Sequence, residues 1–327
     1  MENFLYNCHD TVCLLLMIRL THLNRKIMKK RGVNVLDNMF DRINMLLWPR
    51  FKAVFDNNLK SLRTAATKKL GSVELHAHYI SRRYAEFVST MLTLVKDIEA
   101  GERGEAAKSP KAERLPLSRG VSDGDTTDGR FGGNEMLRND LVNVRSVMVK
   151  LLGQLSGQHR SNKSKIIFLI NNFDAITCVL RERKVSGDEI SFYEDRLNQQ
   201  REQYVEEELR LSYGRLISFV QETEGSQKSG DKRPVDAAIV EGLVRNFSSS
   251  WKAGIEKINS SVLSHFSNFR NGMEILKQVL TQLLLYYTRF QGIIKATWKR
   301  PQGFMKDIVP TTAILAEIKK YALALNG

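Results

Sequence analysis

Ten large apolar side chains near the C-terminus recur at alternating spacings of four and three residues. They are Val262, Phe266, Phe269, Met273, Leu276, Leu280, Leu283, Tyr287, Phe290 and Ile294. This spacing puts all ten on one helical face, so it predicts one unbroken helix that packs against others along its length. Leu263, Val279, Leu284 and Ile293 widen the face, which favours a bundle core over a two-stranded coiled coil.

Shorter stretches of the same periodicity occur through the rest of the chain. Examples are Leu36, Phe40, Ile43 and Leu47, followed by Leu141, Val144, Met148, Leu151 and Leu155. The chain has only 6 prolines in 327 residues, which favours long helices over a turn-rich β-sandwich. Pro49 removes a backbone donor and restricts Trp48, so we expect it to interrupt a helix with a kink or a corner. The sequence therefore predicts an all-α fold.

Two polar stretches divide this helical chain. Residues Gly101–Glu135 are rich in Gly, Ser, Asp, Arg and Pro and almost free of apolar side chains, so we expect a disordered internal linker. A shorter stretch of similar composition covers 225–234. The predicted organisation is a first helical block at 1–100, the linker at 101–135, a second block at 136–224, the short linker, and a C-terminal bundle at 235–327.

The most hydrophobic segment of the first block is Thr11–Leu20, with the sequence TVCLLLMIRL. A bilayer span takes about 20 apolar residues, so this segment is too short to cross a membrane. Acidic Glu2 and Asp10 precede it where a secretory signal would carry basic residues. We interpret it as a buried helical segment of a soluble or peripheral protein.

The chain is strongly basic, with 50 Lys and Arg against 36 Asp and Glu and a formal charge of +14. Such a charge favours nucleic acid, anionic membrane or an acidic protein as partner. Its densest run consists of Arg25, Lys26, Lys29, Lys30 and Arg31. This run is a candidate patch for lipid headgroups or an acidic partner. The alternative is a solvated helix end whose cations interact favourably with the C-terminal dipole.

The residues give no support for catalysis, a metal or a cofactor. Gly225 and Gly230 have the spacing of a phosphate loop, but Asp231 and Lys232 stand where Lys and Ser or Thr are required. The histidines and cysteines lack zinc-site spacing. Aromatic side chains fall at core spacing and are not interleaved with Lys and Arg, so nucleic acid is not the expected partner. We therefore predict a protein that is not an enzyme.

Four segments of the chain are distinctive: LLWPRF at Leu46–Phe51, HYISRRYAEF at His78–Phe87, FLINNFD at Phe168–Asp174, and the long run Ser264–Phe290. Taken in this order, they resemble the vacuolar protein sorting-associated protein 52 family. The resemblance implies an elongated stack of helical bundles, as in other multisubunit tethering complexes. Family members begin with a long coiled-coil region, whereas this chain starts in the helical part, so we expect a truncated gene model or a lost region.

The same resemblance implies a scaffold subunit of the Golgi-associated retrograde protein complex, which tethers endosome-derived vesicles at the trans-Golgi network. A related role lies in endosomal recycling. The implied partners are sibling subunits, a Rab GTPase and SNARE proteins, with peripheral contact at Golgi or endosome membranes. The alternative from charge alone is a basic helical protein that binds nucleic acid or an anionic membrane surface.

Two residue pairs inside these segments are candidate partner contacts. Arg82 and Arg83 are expected to be exposed, and their planar guanidinium groups suit carboxylates; the alternative is that they brace the bundle through internal ion pairs. Asn171 and Asn172 lie in the middle of a predicted helix, where Asn competes for backbone hydrogen bonds. Two roles are therefore possible for this pair: a polar contact where helices cross, or a contact with a partner.

Overall fold

The structure, a computed structural model, describes residues 2–65, 70–71, 73–106, 129–228, 235–298, 300 and 302–323. Within these ranges every regular element is helical, so the predicted all-α class is confirmed. The α-helices are α1 (Glu2–Asn7), α2 (Thr11–Lys30), α3 (Asp37–Arg63), α4 (Tyr79–Ala106), α5 (Gly129–Ser156), α6 (Asn162–Glu182), α7 (Asp188–Lys228), α8 (Ala237–His265), α9 (Phe269–Thr297) and α10 (Thr311–Leu323). A 3₁₀ helix spans Gly303–Asp307.

Part of each predicted linker lies outside the described residues. For the long linker this part is 107–128, and its flanks are the end of α4 and the start of α5. For the short linker it is 229–234, and α7 extends to Lys228 before it.

Local side-chain chemistry explains where several helices begin. Asp10 caps α2, since its carboxylate accepts hydrogen bonds from the backbone N–H of Val12 at 2.9 Å and of Cys13 at 3.1 Å. Asp236 caps α8 through the N–H of Ala238 at 2.9 Å. After α2 the chain turns at Gly32, whose φ of +72° lies in the left-handed region that glycine adopts without strain.

Two predictions about helix continuity are wrong. The helix α3 runs through Pro49 without interruption, because proline removes one backbone bond and the rest of the helix is held by its packed face. The apolar seam from Val262 to Ile294 is divided between α8 and α9, which are separated at 266–268. Phe269 opens α9 and is 55% exposed, so it is not part of the core as the seam predicted.

The described helices form two compact units that interleave along the chain. Unit 1 consists of residues 1–73, 78–158 and 175–192, and unit 2 of 74–77, 159–174 and 193–327. Unit 1 therefore takes residues from the predicted blocks 1–100 and 136–224, whereas unit 2 takes residues from all three blocks. The blocks stay predictions about sequence organisation.

The core of unit 1 forms where α2, α3, α4 and α5 meet. Its largest fully buried side chains include Phe51 and Phe55, whose ring centroids are 5.8 Å apart. Lys52 of α3 links to Asp140 of α5 at 2.7 Å. Burial of this apolar surface, at about 25 cal/mol per Å², is the main force that holds the helices together.

The core of unit 2 is built on α8, α9, α10 and the 3₁₀ helix. Phe247 of α8 stacks on Tyr287 of α9 with ring centroids 4.3 Å apart. The hydroxyl of Tyr287 donates to the carbonyl of Val309 at 2.8 Å, which fixes the segment before α10. Unit 2 also includes the first part of α6 and most of α7. The helix α7 has non-helical backbone angles at Tyr213 and is kinked there.

Candidate interaction surface

The helix α2 packs one apolar face into unit 1. Leu14, Leu15 and Ile18 are completely buried, and α2 contacts α3 and α4. Near the start of α2, Asn58 of α3 donates to the hydroxyl of Thr11 at 2.7 Å. This face accounts for the position of α2 in the fold.

A second apolar face lies on the opposite side of α2 and is open to solvent. Leu16, Leu20, Leu23 and Ile27, here called the α2 stripe, are 36–49% exposed. Their spacings of four, three and four place them on one line, roughly 180° around the helix from Ile18 at about 100° per residue. A helix that is apolar on two opposite faces is typical of one covered on both sides. The α2 stripe is therefore a candidate interaction surface.

The charge of α2 is entirely positive, since the helix contains no Asp or Glu. Arg25 is held inside unit 1: its guanidinium pairs with Asp37 at 3.1 Å and with Asp41 at 2.6 Å, and its side chain is 15% exposed. Lys29, Lys30 and Arg31, here called the basic end, are exposed at the C-terminus of α2. The structure thus separates Arg25 from the predicted basic run, while Lys26 is half-buried beside the α2 stripe.

Sequence reasoning missed the α2 stripe because it treated Thr11–Leu20 as one buried segment. Half of that expectation agrees with the fold, since Thr11 is buried together with the inner face of the helix. The signal for the outer face was present, because the period of Leu16 and Leu20 continues through Leu23 and Ile27 beyond the hydrophobic run.

The predicted arginine pair lies at the start of α4, with both side chains exposed. Arg82 forms an ion pair with Glu86 one turn later at 2.9 Å, and its side chain is 74% exposed. The guanidinium of Arg83 lies 5.1 Å from the ring centroid of Tyr79. An exposed pair of this kind contributes little to stability, so both guanidinium groups are accessible to a partner's carboxylates.

The predicted asparagine pair is buried inside unit 2. The amide Nδ2 of Asn171 donates to the carbonyl of Leu75 at 2.8 Å and to that of His265 at 2.9 Å, so it joins three chain segments at a polar crossing. The amide of Asn172 donates to the carbonyl of Phe168, one turn earlier, at 2.7 Å. The side-chain amides of both residues therefore donate their hydrogen bonds inside the fold.

Replacing Asn171 with alanine should lower the free energy of unfolding by about 2 kcal/mol, because two carbonyls lose their donor in a buried site. Urea unfolding followed by circular dichroism measures the change. The matched control is Asn246→Ala on the same unit: Asn246 is an exposed residue of α8, and the expected change there is within about 0.5 kcal/mol. Equal effects of the two substitutions would contradict the structural role of Asn171.

A buried ion pair lies near this crossing in unit 2. Glu208 of α7 is almost fully buried and pairs with Lys163 of α6 at 2.6 Å. Lys163 also donates to the hydroxyl of Ser261 at 3.2 Å. Burial, and secondarily the charge of Lys163, lowers the pKa of His265 at the end of α8. These groups tie three helices together through charge and hydrogen bonds.

Two further properties concern the part of the chain that the structure describes. There, no three His, Cys, Asp or Glu side chains come together in a way that could hold a metal ion. None of the helices in the described ranges has the combination of length and hydropathy that a bilayer span requires.

Comparison with known proteins gives consistent matches. Residues 1–115 match the family model described as "Vps52, C-terminal". Vacuolar protein sorting-associated protein 52 A of Arabidopsis thaliana is 36% identical over 97% of this chain, and protein 52 B of the same plant is 34% identical over 98%. The Rattus norvegicus vacuolar protein sorting-associated protein 52 homolog is 30% identical over 98%.

This chain covers 40%, 41% and 40% of these three relatives, so it corresponds to less than half of their length. The family match includes α1 to α4, and with them the α2 stripe and the basic end. The alignments extend through both compact units to nearly the whole chain. The chain therefore belongs to the Vps52 family.

Proposed function

We propose that this protein is a non-catalytic scaffold subunit of a vesicle-tethering complex in retrograde transport from endosomes to the trans-Golgi network. The relatives are named for vacuolar protein sorting, which supports a role in membrane traffic. The proposal includes a second role in endosomal recycling. Its site is the cytosolic face of the trans-Golgi network and of endosomes, through peripheral contacts.

The observation that carries this proposal is the α2 stripe. A tether binds partners, so it needs surfaces that are exposed in the isolated chain and become buried when the complex assembles. Exposing four large aliphatic side chains in one line is unfavourable in water and becomes favourable when a partner covers them. The stripe lies in the segment that matches the family model.

The proposed partners are sibling subunits of the tethering complex, a Rab GTPase and SNARE proteins. Arg82 and Arg83 are proposed contact residues, because both are exposed and suit acidic groups. The basic end, Lys29, Lys30 and Arg31, is a proposed contact for an anionic surface, since its charges lie at a helix terminus open to solvent. For Asn171 and Asn172, the proposed role is internal bracing.

Expression of a tagged copy of the chain in cells of the organism that encodes it tests this function. We expect it to copurify with the other subunits of the tethering complex and to colocalise with a trans-Golgi marker. A charge-reversed variant of the basic end, Lys29→Glu with Lys30→Glu and Arg31→Glu, is expected to show reduced membrane association. The matched control, Lys319→Glu with Lys320→Glu on α10, should show the same membrane association as the unchanged chain.

Recovery of nucleic acid without the other subunits would overturn the tethering proposal. That result would favour the alternative of a basic helical protein that binds RNA or DNA, for which the charge of +14 is the supporting observation. High salt separates the two further, because nucleic-acid binding falls steeply with ionic strength, whereas subunits held by apolar contact remain bound.

A further inference from the structure

We propose that the α2 stripe is the docking site for a single amphipathic helix of a partner, whose apolar side chains are flanked by Asp and Glu. The proposal deepens the proposed function by naming the chemistry of one partner, and it rests on that function for its biological setting. Its physical basis is the arrangement of α2 alone: the spacing of the exposed side chains, their partial exposure and the charge beside them.

The spacing of the α2 stripe is the spacing that a second helix requires. Leu16, Leu20, Leu23 and Ile27 follow a 4-3-4 pattern, an average period near 3.5 residues, which keeps a seam facing an adjacent helix over three turns. Helix-in-groove recognition uses anchors at i, i+3, i+4 and i+7. The stripe has the anchors at i, i+4 and i+7 and continues one turn further to Ile27. All four residues are Leu or Ile, which suits knobs-into-holes packing.

The charge beside the stripe selects an acidic partner. Lys30 lies on one flank of the stripe by helical position, and Arg31 follows Ile27 by four residues on the other; both side chains are exposed. The helix itself contains no Asp or Glu. A partner helix with Glu or Asp at its flanking positions gains attraction at the C-terminal end of the stripe, while a basic helix is repelled there.

A lipid bilayer is the competing occupant, and the geometry favours a helix. Each side chain of the stripe is 36–49% exposed, so each is about half covered by its neighbours on unit 1 and does not project as an insertion anchor would. Helices that lie in the membrane interface have a strongly polar face opposite the inserted one, whereas the face of α2 opposite the stripe carries the buried Leu14, Leu15 and Ile18. Vesicles are therefore included in the test as an alternative outcome.

The probe is a labelled three-heptad peptide with Leu at positions a and d and Glu at e and g. Glutamate at e and g disfavours its self-association, so it stays available as a single helix. A second peptide has the same Leu residues and Lys at e and g. Fluorescence anisotropy with the full chain should show saturable binding of the acidic peptide and binding at least about tenfold weaker for the basic peptide.

Variants locate the contact. The double substitution Leu20→Asp and Leu23→Asp should weaken binding of the acidic peptide by about tenfold or more, because it places two carboxylates in the apolar seam. Lys30→Glu with Arg31→Glu should weaken it by a smaller factor and reduce its salt dependence. Circular dichroism melts must show that both variants fold, which is expected because the changed side chains are at least partly exposed.

The matched control is Leu46→Asp on α3. Leu46 is 39% exposed, close to the exposure of the stripe residues. It lies roughly 140° around α3 from Asp41, the residue through which α3 faces Arg25 of α2. This variant should bind the acidic peptide within about twofold of the unchanged chain.

Three results would overturn the inference. They are equal binding of acidic and basic peptides, no binding of either, or full binding by a folded Leu20→Asp, Leu23→Asp variant. Cosedimentation with phosphatidylcholine–phosphatidylserine vesicles that the same variant abolishes, without peptide binding, would assign the stripe to a membrane. None of these results changes the expected copurification with the other subunits or the colocalisation with a trans-Golgi marker. Failure of the docking inference is therefore distinguishable from failure of the tethering function.

Discussion

Replacing Arg145 with methionine should lower the free energy of unfolding by about 3–5 kcal/mol, because it leaves a buried carboxylate without its counter-ion. Glu189, at the start of α7, is buried in unit 1 with 9% of its side chain exposed. Its carboxylate accepts a hydrogen bond from the hydroxyl of Tyr84 at 2.7 Å and pairs with Arg145 at 3.2 Å. The guanidinium of Arg145 also lies 4.4 Å from the ring centroid of Phe192.

The pH dependence of the Arg145→Met variant identifies Glu189 as the cause. Burial raises the pKa of Glu189, and the hydrogen bond from Tyr84 and the charge of Arg145 oppose that rise. Without Arg145 the pKa should rise further. A folded carboxyl with a raised pKa binds its proton more tightly than the unfolded chain does. Its contribution to stability is therefore fully present below the unfolded pKa, and it is lost as pH rises through the folded pKa.

Two further variants isolate this effect in urea unfolding. Arg145→Met combined with Glu189→Gln should recover most of the loss, since the amide is neutral and still accepts from Tyr84. The difference in the free energy of unfolding between Arg145→Met and the double variant should become smaller as pH falls, because the Glu189 carboxyl is then protonated. The matched control is Arg245→Met, which removes an exposed ion pair with Glu241 and should cost no more than about 1 kcal/mol. A cost this small for Arg145→Met as well would refute the buried-pair account.

Replacing Gly254 with alanine should destabilise unit 2 by about 2 kcal/mol despite the better helix propensity of alanine. A Cβ at Gly254 would lie 2.7 Å from Cζ and 3.3 Å from Cε1 of Tyr213, and closer still to its hydroxyl. The ring of Tyr213 is buried, and its hydroxyl donates to the carbonyl of Trp251 at 2.9 Å. The ring therefore has to give up this hydrogen bond and its packing to make room.

Gly242 provides the matched control on the same helix. A Cβ there would meet nothing within 4 Å, so Gly242→Ala should be neutral or stabilising by up to about 1 kcal/mol. In a double-mutant cycle, Tyr213→Phe should cost less in the Gly254→Ala background than in the unchanged chain, because the hydroxyl is then already displaced. Thermal melts of the four proteins measure this. Strict additivity would show that the hydroxyl is not what the alanine displaces.

Helical periodicity predicted the fold class correctly because packing of apolar faces decides it. The same rule failed at 266–268, since Phe266 is buried in the core even though the backbone has left the helix. Asn268 stands at the N-cap position of α9, but its side chain makes no capping hydrogen bond, and its amide donates to the carboxylate of Asp174 at 2.7 Å. An apolar period alone reports which side chains are buried and does not report where the backbone hydrogen bonds end.

The candidate surface was less predictable than the fold, because exposure depends on which neighbours pack where. A local pattern places Glu189 in the first turn of α7, where a carboxylate interacts favourably with the helix dipole. Glu189, however, is committed to Tyr84 and Arg145, which are distant in sequence. Arg25 was likewise grouped with the exposed basic run, but Asp37 and Asp41 hold it inside unit 1. Ion pairs between separate helices have no signature in a local pattern.

The interleaving of the two units has a consequence for biosynthesis. The last segment of unit 1, residues 175–192, is separated from the rest by residues 159–174 of unit 2. A nascent chain therefore cannot complete the core of unit 1 until more than half of the polypeptide has left the ribosome. Until Glu189 arrives, Tyr84 and Arg145 have no buried carboxylate to bind, and the helices made first remain exposed to chaperones during translation.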